Sequence, residues 1–402
     1  MSTSAEFDLW SPQHRANPFP LYARLRREAP VSRHMEPDRK VPVWLVTRYK
    51  DAVEVLRHPR LVKDPRALTD EARSRYFRLE ELSPLSQHML SADPPNHTRL
   101  RSLVSKVFTP RRVEELRPRI EAICQQLLDT AQPQGSVDLL DAYAFPVPIT
   151  VIAELLGVPL EDQHQFREWT GALVNPRGHG GVEGQRKAGM QFITYFQELI
   201  ARRRGDPRDD LLSGLMAVEE QGDRLNPLEL VAMLFLLLLA GHETTVNLIG
   251  NGMWALLKHP EQFERLRADP SLIDSAVEEM LRYASPVETS TSRFTVEELE
   301  LFGQRIPAGE LVSASLLSAN HDPEQFPEPE RFDITREPNR HIAFGFGSHF
   351  CLGAPLARLE ATLAINALLA RLPRLCFATD PATLQWRESA LIRGLKQFPV
   401  AF

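Results

Sequence analysis

The stretch Phe344-Gly-Phe-Gly347-Ser-His349-Phe-Cys351-Leu-Gly353 (FGFGSHFCLG) decides how this chain is read. Three glycines and a histidine surround one cysteine just before a helical pattern, Leu352, Leu356, Leu359 and Leu363, at four- and three-residue steps. A cysteine placed there meets free backbone N–H groups and the positive end of a helix dipole, both of which favour the thiolate. The glycines allow the main chain to approach a flat cofactor and to aim N–H groups at sulfur. Cys124 and Cys376 lack such a setting and read as small buried hydrophobes.

Working outward, the next informative region is a long helix. Asn226 is a good N-cap, Pro227 suits the first helical position and Glu229 completes a capping-box-like pair. Nothing stops the helix before Lys258-His259-Pro260, so it runs for about thirty residues, roughly 45 Å. Its apolar run, Val231 to Gly241, is about half of the ~20 residues that span a bilayer, which makes it a core helix. Five residues interrupt the apolar character, Gly241, His242, Glu243, Thr244 and Thr245. A threonine hydroxyl there can bond the preceding turn and help bend the helix. An adjacent acid and alcohol can pass protons through ordered water.

The 402 residues, 43% hydrophobic and 25% charged, suit a globular protein with a large core. No Gly/Ser linker, low-complexity tract or repeat divides them, so a single domain over 1–402 is expected, with 1–20 a loosely held arm. Most of the chain has helical periodicity, as in 111–131, 191–203 and 261–267. Strand-like runs are few, at Val41–Val46, Val287–Phe294, 299–318 and the C-terminus. The fold class expected is mainly α with a small β part. Residues Asn175 to Gly184 (NPRGHGGVEG) read as a Gly-rich surface loop.

Net charge is -6, which argues against a nucleic-acid binder, although Arg99, Arg101, Lys106, Arg111, Arg112, Arg117 and Arg119 gather locally. Three cysteines at unrelated spacings indicate neither a disulfide framework nor a zinc site, and fit a reducing cytoplasm. The polar N-terminus offers no signal peptide or membrane anchor.

The Cys351 segment resembles the Phe-x-x-Gly-x-His-x-Cys-x-Gly loop of the cytochrome P-450 superfamily at every defined position, and is closest to soluble bacterial members. The resemblance implies the triangular, helix-rich fold of that family, with haem b between the long helix and the cysteine loop. Cys351 is then the iron ligand, with Phe344, His349 and Gly353 beside the cofactor. Ala240-Gly-His-Glu243-Thr244-Thr resembles the family's oxygen-activation segment, with Glu243 and Thr244 as the proton relay and Gly241 allowing close approach to the haem. Asp93-Pro-Pro-Asn-His97-Thr-Arg99-Leu-Arg101 resembles the stretch that holds the haem propionates, so His97, Arg101, Arg293 and His349 take that part. Glu279 and Arg282 resemble the family's Glu-x-x-Arg pair, closed by Arg331 of Pro329-Glu-Arg-Phe332. Ala240 and Val287 are placed at the substrate. One departure is His321 in Ala319-Asn-His-Asp-Pro323, where the family often has Arg, with an altered surface or proximal contact as the expected result.

The activity implied is insertion of one atom of O2 into a C–H or C=C bond of an apolar small molecule of secondary-metabolite, terpenoid, steroid or fatty-acid type. No flavin or nicotinamide fingerprint is present. Electrons should therefore come from a ferredoxin or flavodoxin with its reductase, for which Arg111 and Arg112 offer a landing site. Alternatives are a peroxide-driven peroxygenase and a non-catalytic haem-thiolate gas sensor or ligand carrier. The acid and alcohol at Glu243 and Thr244 speak against both.

Overall fold

The computed structural model describes residues 7–36, 41–77, 84–174, 179–218 and 222–402. The first helices, α1 (Pro12–Ala16) and α2 (Phe19–Glu28), lead into strands β1 (Val31–Glu36) and β2 (Val41–Val46). Then come α3 (Tyr49–Arg57), β3 (Leu61–Val62), α4 (Asp70–Tyr76), α5 (Asn96–Val107), α6 (Pro110–Glu114) and α7 (Arg117–Ala131). The middle holds β4 (Ser136–Asp138), α8 (Pro146–Leu156), α9 (Gln163–Val174), α10 (Gly181–Gly205), α11 (Leu211–Ala217) and α12 (Pro227–Lys258). After α13 (Pro260–Ala268) and α14 (Ile273–Tyr283), short strands β5 (Arg293–Thr295), β6 (Leu299–Leu301), β7 (Gln304–Ile306) and β8 (Leu311–Ala314) precede α15 (Leu316–Ala319). The chain closes with α16 (Ala354–Arg371), β9 (Cys376–Phe377) and β10 (Pro399–Ala401). The fold is thus mainly α with a small β part.

The chain divides into two compact units, each discontinuous in sequence. The first comprises 1–76, 124–144 and 244–402, the second 77–123 and 145–243. All the named strands lie in the first. Its principal sheet has the order β1-β2-β8-β5-β3, with β2 and β8 parallel and the other neighbours antiparallel. The run VPVWLV forms β2 because its β-branched and aromatic side chains suit a sheet buried on both faces, and five of its six residues are buried. Val46, Val55, Ile306, Val312 and Ala314 are among the completely buried side chains of the core against this sheet. The named elements of the second unit are helices.

The expected cap of α12 is present. Asn226 Oδ1 accepts from the N–H of Leu228 and Glu229 at 3.0 and 2.9 Å, and Glu229 Oε2 accepts from the Asn226 N–H at 2.9 Å. The helix runs 32 residues without a break. By length and composition it could cross a membrane, but 61% of its apolar window is buried in the structure, as in a core helix.

Four local expectations need correction. Of the Gly-rich stretch 175–184, residues 175–178 lie outside the described part, and Gly181 already begins α10. Residues 111–131 form two helices, α6 and α7, because the first turn ends at Glu115. Cys376 is exposed on β9, whereas Cys124 is buried. The described part of the N-terminal arm is packed, with Phe7, His14 and Arg15 all under 10% exposed.

Candidate functional site

In the first unit, Cys351 precedes α16 by three residues and is exposed. Its N–H donates to the Phe344 carbonyl at 3.0 Å, closing the loop on its first residue. Gly345 and Gly347 adopt φ of +75° and +78°, the left-handed region that a side chain would strain. A Cβ at Gly347 would lie 3.4 Å from the Leu56 carbonyl oxygen, so glycine also lets the loop pass the end of α3. That same carbonyl accepts from Arg293 Nη2 at 3.0 Å, which ties the 3%-exposed Arg293 guanidinium to the base of the loop. His349 sits in a single 3-10 turn at Gly347–His349.

The loop is braced from behind. Arg358, on the second turn of α16, places its guanidinium 4.5 Å from the centre of the Phe344 ring and binds Glu278 of α14. Burial alone would raise the Glu278 carboxyl, but bonds from Arg358 and His341 outweigh it and bring its pKa down to about 2. One residue on, Glu279 and Arg282 are completely buried and joined at 2.7 and 2.8 Å.

The third member of that pair is not Arg331. Its side chain is 59% exposed and faces Glu328 and Asp333, while only its carbonyl accepts from Arg282, at 3.0 Å. Arg336 instead reaches Glu279 Oε1 at 3.3 Å with its side chain 10% exposed. The main-chain carbonyls of Asn320, Pro329 and Arg331 accept from the outer edge of Arg282, and Arg336, which also donates to the carbonyls of Pro327, Glu328 and Arg331, supplies the second guanidinium.

In the second unit, His97 and Arg101 lie one turn apart on α5, with His97 buried (3%) and Arg101 half-buried. Along α12, Ala240 is exposed, His242 and Glu243 are buried, and in the first unit Thr244 is half-buried and Val287 half-buried. Gly241 has a packing role that sequence did not suggest. A Cβ there would come within 2.9 Å of Ile152 Cγ1, so glycine lets α12 close on α8. The basic run is largely paired with acids. Arg99 faces Asp223 and Glu229, Arg111 faces Glu115, Arg112 faces Asp209, Arg117 faces Glu114 and Arg119 faces Glu154.

His321 is also not at the surface. It is 1% exposed, its ring lies 4.4 Å from that of Phe19, and burial holds its pKa well below the ordinary value. Three further groups escaped sequence reading. Glu288 is 2% exposed and binds Arg15 and Tyr22, each at 2.7 Å, across more than 260 residues of chain. Asn251 of α12 donates to the carbonyls of Ala284 and Arg393 at 3.1 and 2.9 Å. Glu360 is buried inside α16, and burial, opposed by the Thr245 hydroxyl, raises its pKa to about 8. The signal for Glu360 is an acid within a run of leucines and alanines.

The donor chemistry of the first unit suits a haem. An exposed thiol stands at the entry to an 18-residue helix, flanked by Phe346 and Phe350, 40% and 42% exposed, an apolar surface on which a porphyrin can lie. The buried Arg293 offers a guanidinium for a carboxylate of the cofactor.

Comparison with known proteins agrees. The Cytochrome P450 family model matches residues 182–376. The chain is 50% identical over 388 residues to the cytochrome P450 monooxygenase PikC of Streptomyces venezuelae, covering 96% of this chain and 91% of the relative. It is 48% identical over 396 residues to a vitamin D(3) 25-hydroxylase of Pseudonocardia autotrophica, covering 98% and 96%. The crystal structure of a myxobacterial cytochrome P450, CYP267B1, in complex with myristic acid has a TM-score of 0.95 at 51% identity, covering 98% of both chains. Motif, fold and identity over almost the whole length therefore coincide, and the chain belongs to the cytochrome P450 family, as a haem- and O2-dependent monooxygenase.

Proposed function

We propose that Cys351 is the thiolate ligand of the haem iron, with Phe344, His349 and Gly353 beside the cofactor. The observation that carries this reading is the exposed Cys351 thiol at the entry to α16, in a loop closed on Phe344. When bound, the haem supplies oxygen activation, which a thiolate ligand promotes by donating electron density. Arg293, His349, His97 and Arg101 are assigned to the propionates, since buried carboxylates need cationic or hydrogen-bonding partners. Glu243 and Thr244 deliver protons, the acid supplying them and the hydroxyl passing them on. Glu279 and Arg282 hold the chain around the Cys351 loop through buried, two-bond pairing.

The substrate is assigned as an apolar small molecule, with Ala240 and Val287 among the residues it meets. Myristic acid and vitamin D3, associated with two of the relatives, both join a large apolar body to few polar atoms. Electrons come from a separate ferredoxin or flavodoxin with its reductase. Arg111, whose side chain is 90% exposed beside Glu115, and Arg112, which faces Asp209, are the cations of α6 that offer the landing site. The single domain over 1–402 works in the cytoplasm, without membrane or nucleic acid.

The test is optical. Reduced protein exposed to carbon monoxide should show the red-displaced Soret band of thiolate coordination, and Cys351→Ser should lose it. Retention of that band in the serine variant sinks the assignment.

A further inference from the structure

His242, next to the proton-delivering acid, is completely buried, and its surroundings dictate its charge. Nδ1 lies 2.7 Å from the Leu238 carbonyl oxygen one turn back on α12. Nε2 lies 3.2 Å from Thr170 Oγ1 on α9 and 3.7 Å from Glu243 Oε1. The Thr170 hydroxyl is itself 2.7 Å from the Phe166 carbonyl oxygen.

Carbonyl oxygens only accept, so Nδ1 carries a hydrogen. A hydroxyl has one hydrogen, and the 2.7 Å separation assigns that of Thr170 to Phe166. The Thr170 oxygen then turns lone pairs toward Nε2, and the 3.2 Å contact is bonding only if Nε2 also carries a hydrogen. With both nitrogens protonated the ring is a cation. A buried cation requires a counter-charge, and the carboxylate of Glu243, 8% exposed, is beside it. Arg167 of α9 is stacked 4.5 Å from the centre of the Phe145 ring. Phe145 in turn stands edge-on to His242 at 5.9 Å.

We propose that His242 is a positioning residue held as an imidazolium, which orients the Glu243 carboxylate by charge while Thr170 of α9 fixes the ring. The inference deepens the assignment of Glu243 to proton delivery and rests on it. Helix α9 is thereby coupled through a single hydroxyl to the acid of the relay, so a shift of that helix alters how the acid is held.

The experiment is nitrogen NMR of protein labelled in its histidine rings, in the diamagnetic reduced, carbon monoxide-bound form at pH 7.5. An ordinary histidine, with a pKa near 6.5, is only about one-tenth protonated there. The signal that disappears in His242→Gln should show both ring nitrogens protonated. It should move to a neutral tautomer in Glu243→Gln, which removes the counter-charge while keeping shape. A neutral ring in the unmodified protein, or a signal indifferent to Glu243→Gln, overturns the proposal. The Soret band of the same samples reports on Cys351 separately, so a thiolate band beside a neutral His242 rejects this inference and leaves the haem-ligand assignment standing.

Discussion

Arg358 and Glu278 form a two-bond ion pair, Nε to Oε1 at 2.7 Å and Nη2 to Oε2 at 2.8 Å, that joins the helix after Cys351 to α14. The same guanidinium stacks on Phe344, the residue that closes the loop, and its charge is further favoured by the Cys351 sulfur. Arg358→Met removes a cation that draws electron density away from that sulfur. The ferric/ferrous potential should become more negative, as measured by spectroelectrochemistry. An unchanged or more positive potential would show that the cation does not act on the thiolate.

Arg336 and Arg331 provide a paired test of the buried network. Arg336→Met leaves one face of the Glu279 carboxylate without its second guanidinium, a loss on the order of 3 kcal/mol for a buried pair. Arg331→Met loses exposed ion pairs worth at most about 1 kcal/mol. Thermal unfolding should therefore separate the two variants clearly, with Arg336→Met the lower. Equal melting temperatures would contradict the geometry.

Glu360 should make stability fall as pH rises. Its folded pKa of about 8 stands above the ordinary 4.5, because burial disfavours the charge, with the Thr245 hydroxyl opposing. Between these values the unfolded chain gives up the proton and the folded chain keeps it, so ionisation favours unfolding across that window. Glu360→Gln stays neutral and should gain on the order of 4 kcal/mol over the parent at pH 8, and only about 0.4 kcal/mol at pH 4.5. Denaturant titrations at both values check the sign; an equal effect at both would mean that Glu360 does not titrate in this range.

Thr244→Ala tests the relay. With a compound that shifts the Soret band and is turned over, product per electron should drop by ~10-fold or more while hydrogen peroxide rises, since a lost acid–base group typically costs at least that much. Undiminished product yield would remove Thr244 from proton delivery, and substrate binding measured by the Soret shift should stay near the parent value.

Strands β1, β3 and β4 were not legible in sequence, and of the strand-like run 287–294 only Arg293 and Phe294 fall in β5. The Asn226–Glu229 cap, the length of α12, strand β2 and the Cys351 loop were legible. Each depends on residues within a few positions of one another, where backbone hydrogen bonding and helical periodicity act locally. The pairing Glu279 with Arg282 is local as well, three residues apart on one helix.

Tertiary structure decided what lies across those local elements. It chose Arg336 over Arg331 because the Arg331 side chain turns outward to Glu328 and Asp333, while three main-chain carbonyls hold Arg336 beside Glu279. Packing against Ile152 gave Gly241 its role, Phe19 and Tyr283 enclosed His321, and Glu288 met Arg15 and Tyr22 from the far end of the chain. Burial then set the charge of groups such as Glu360, whose surroundings no local pattern encodes. Short-range spacing specifies elements and motifs, whereas the partner of a buried charge depends on which distant segments the packed core brings within bonding distance.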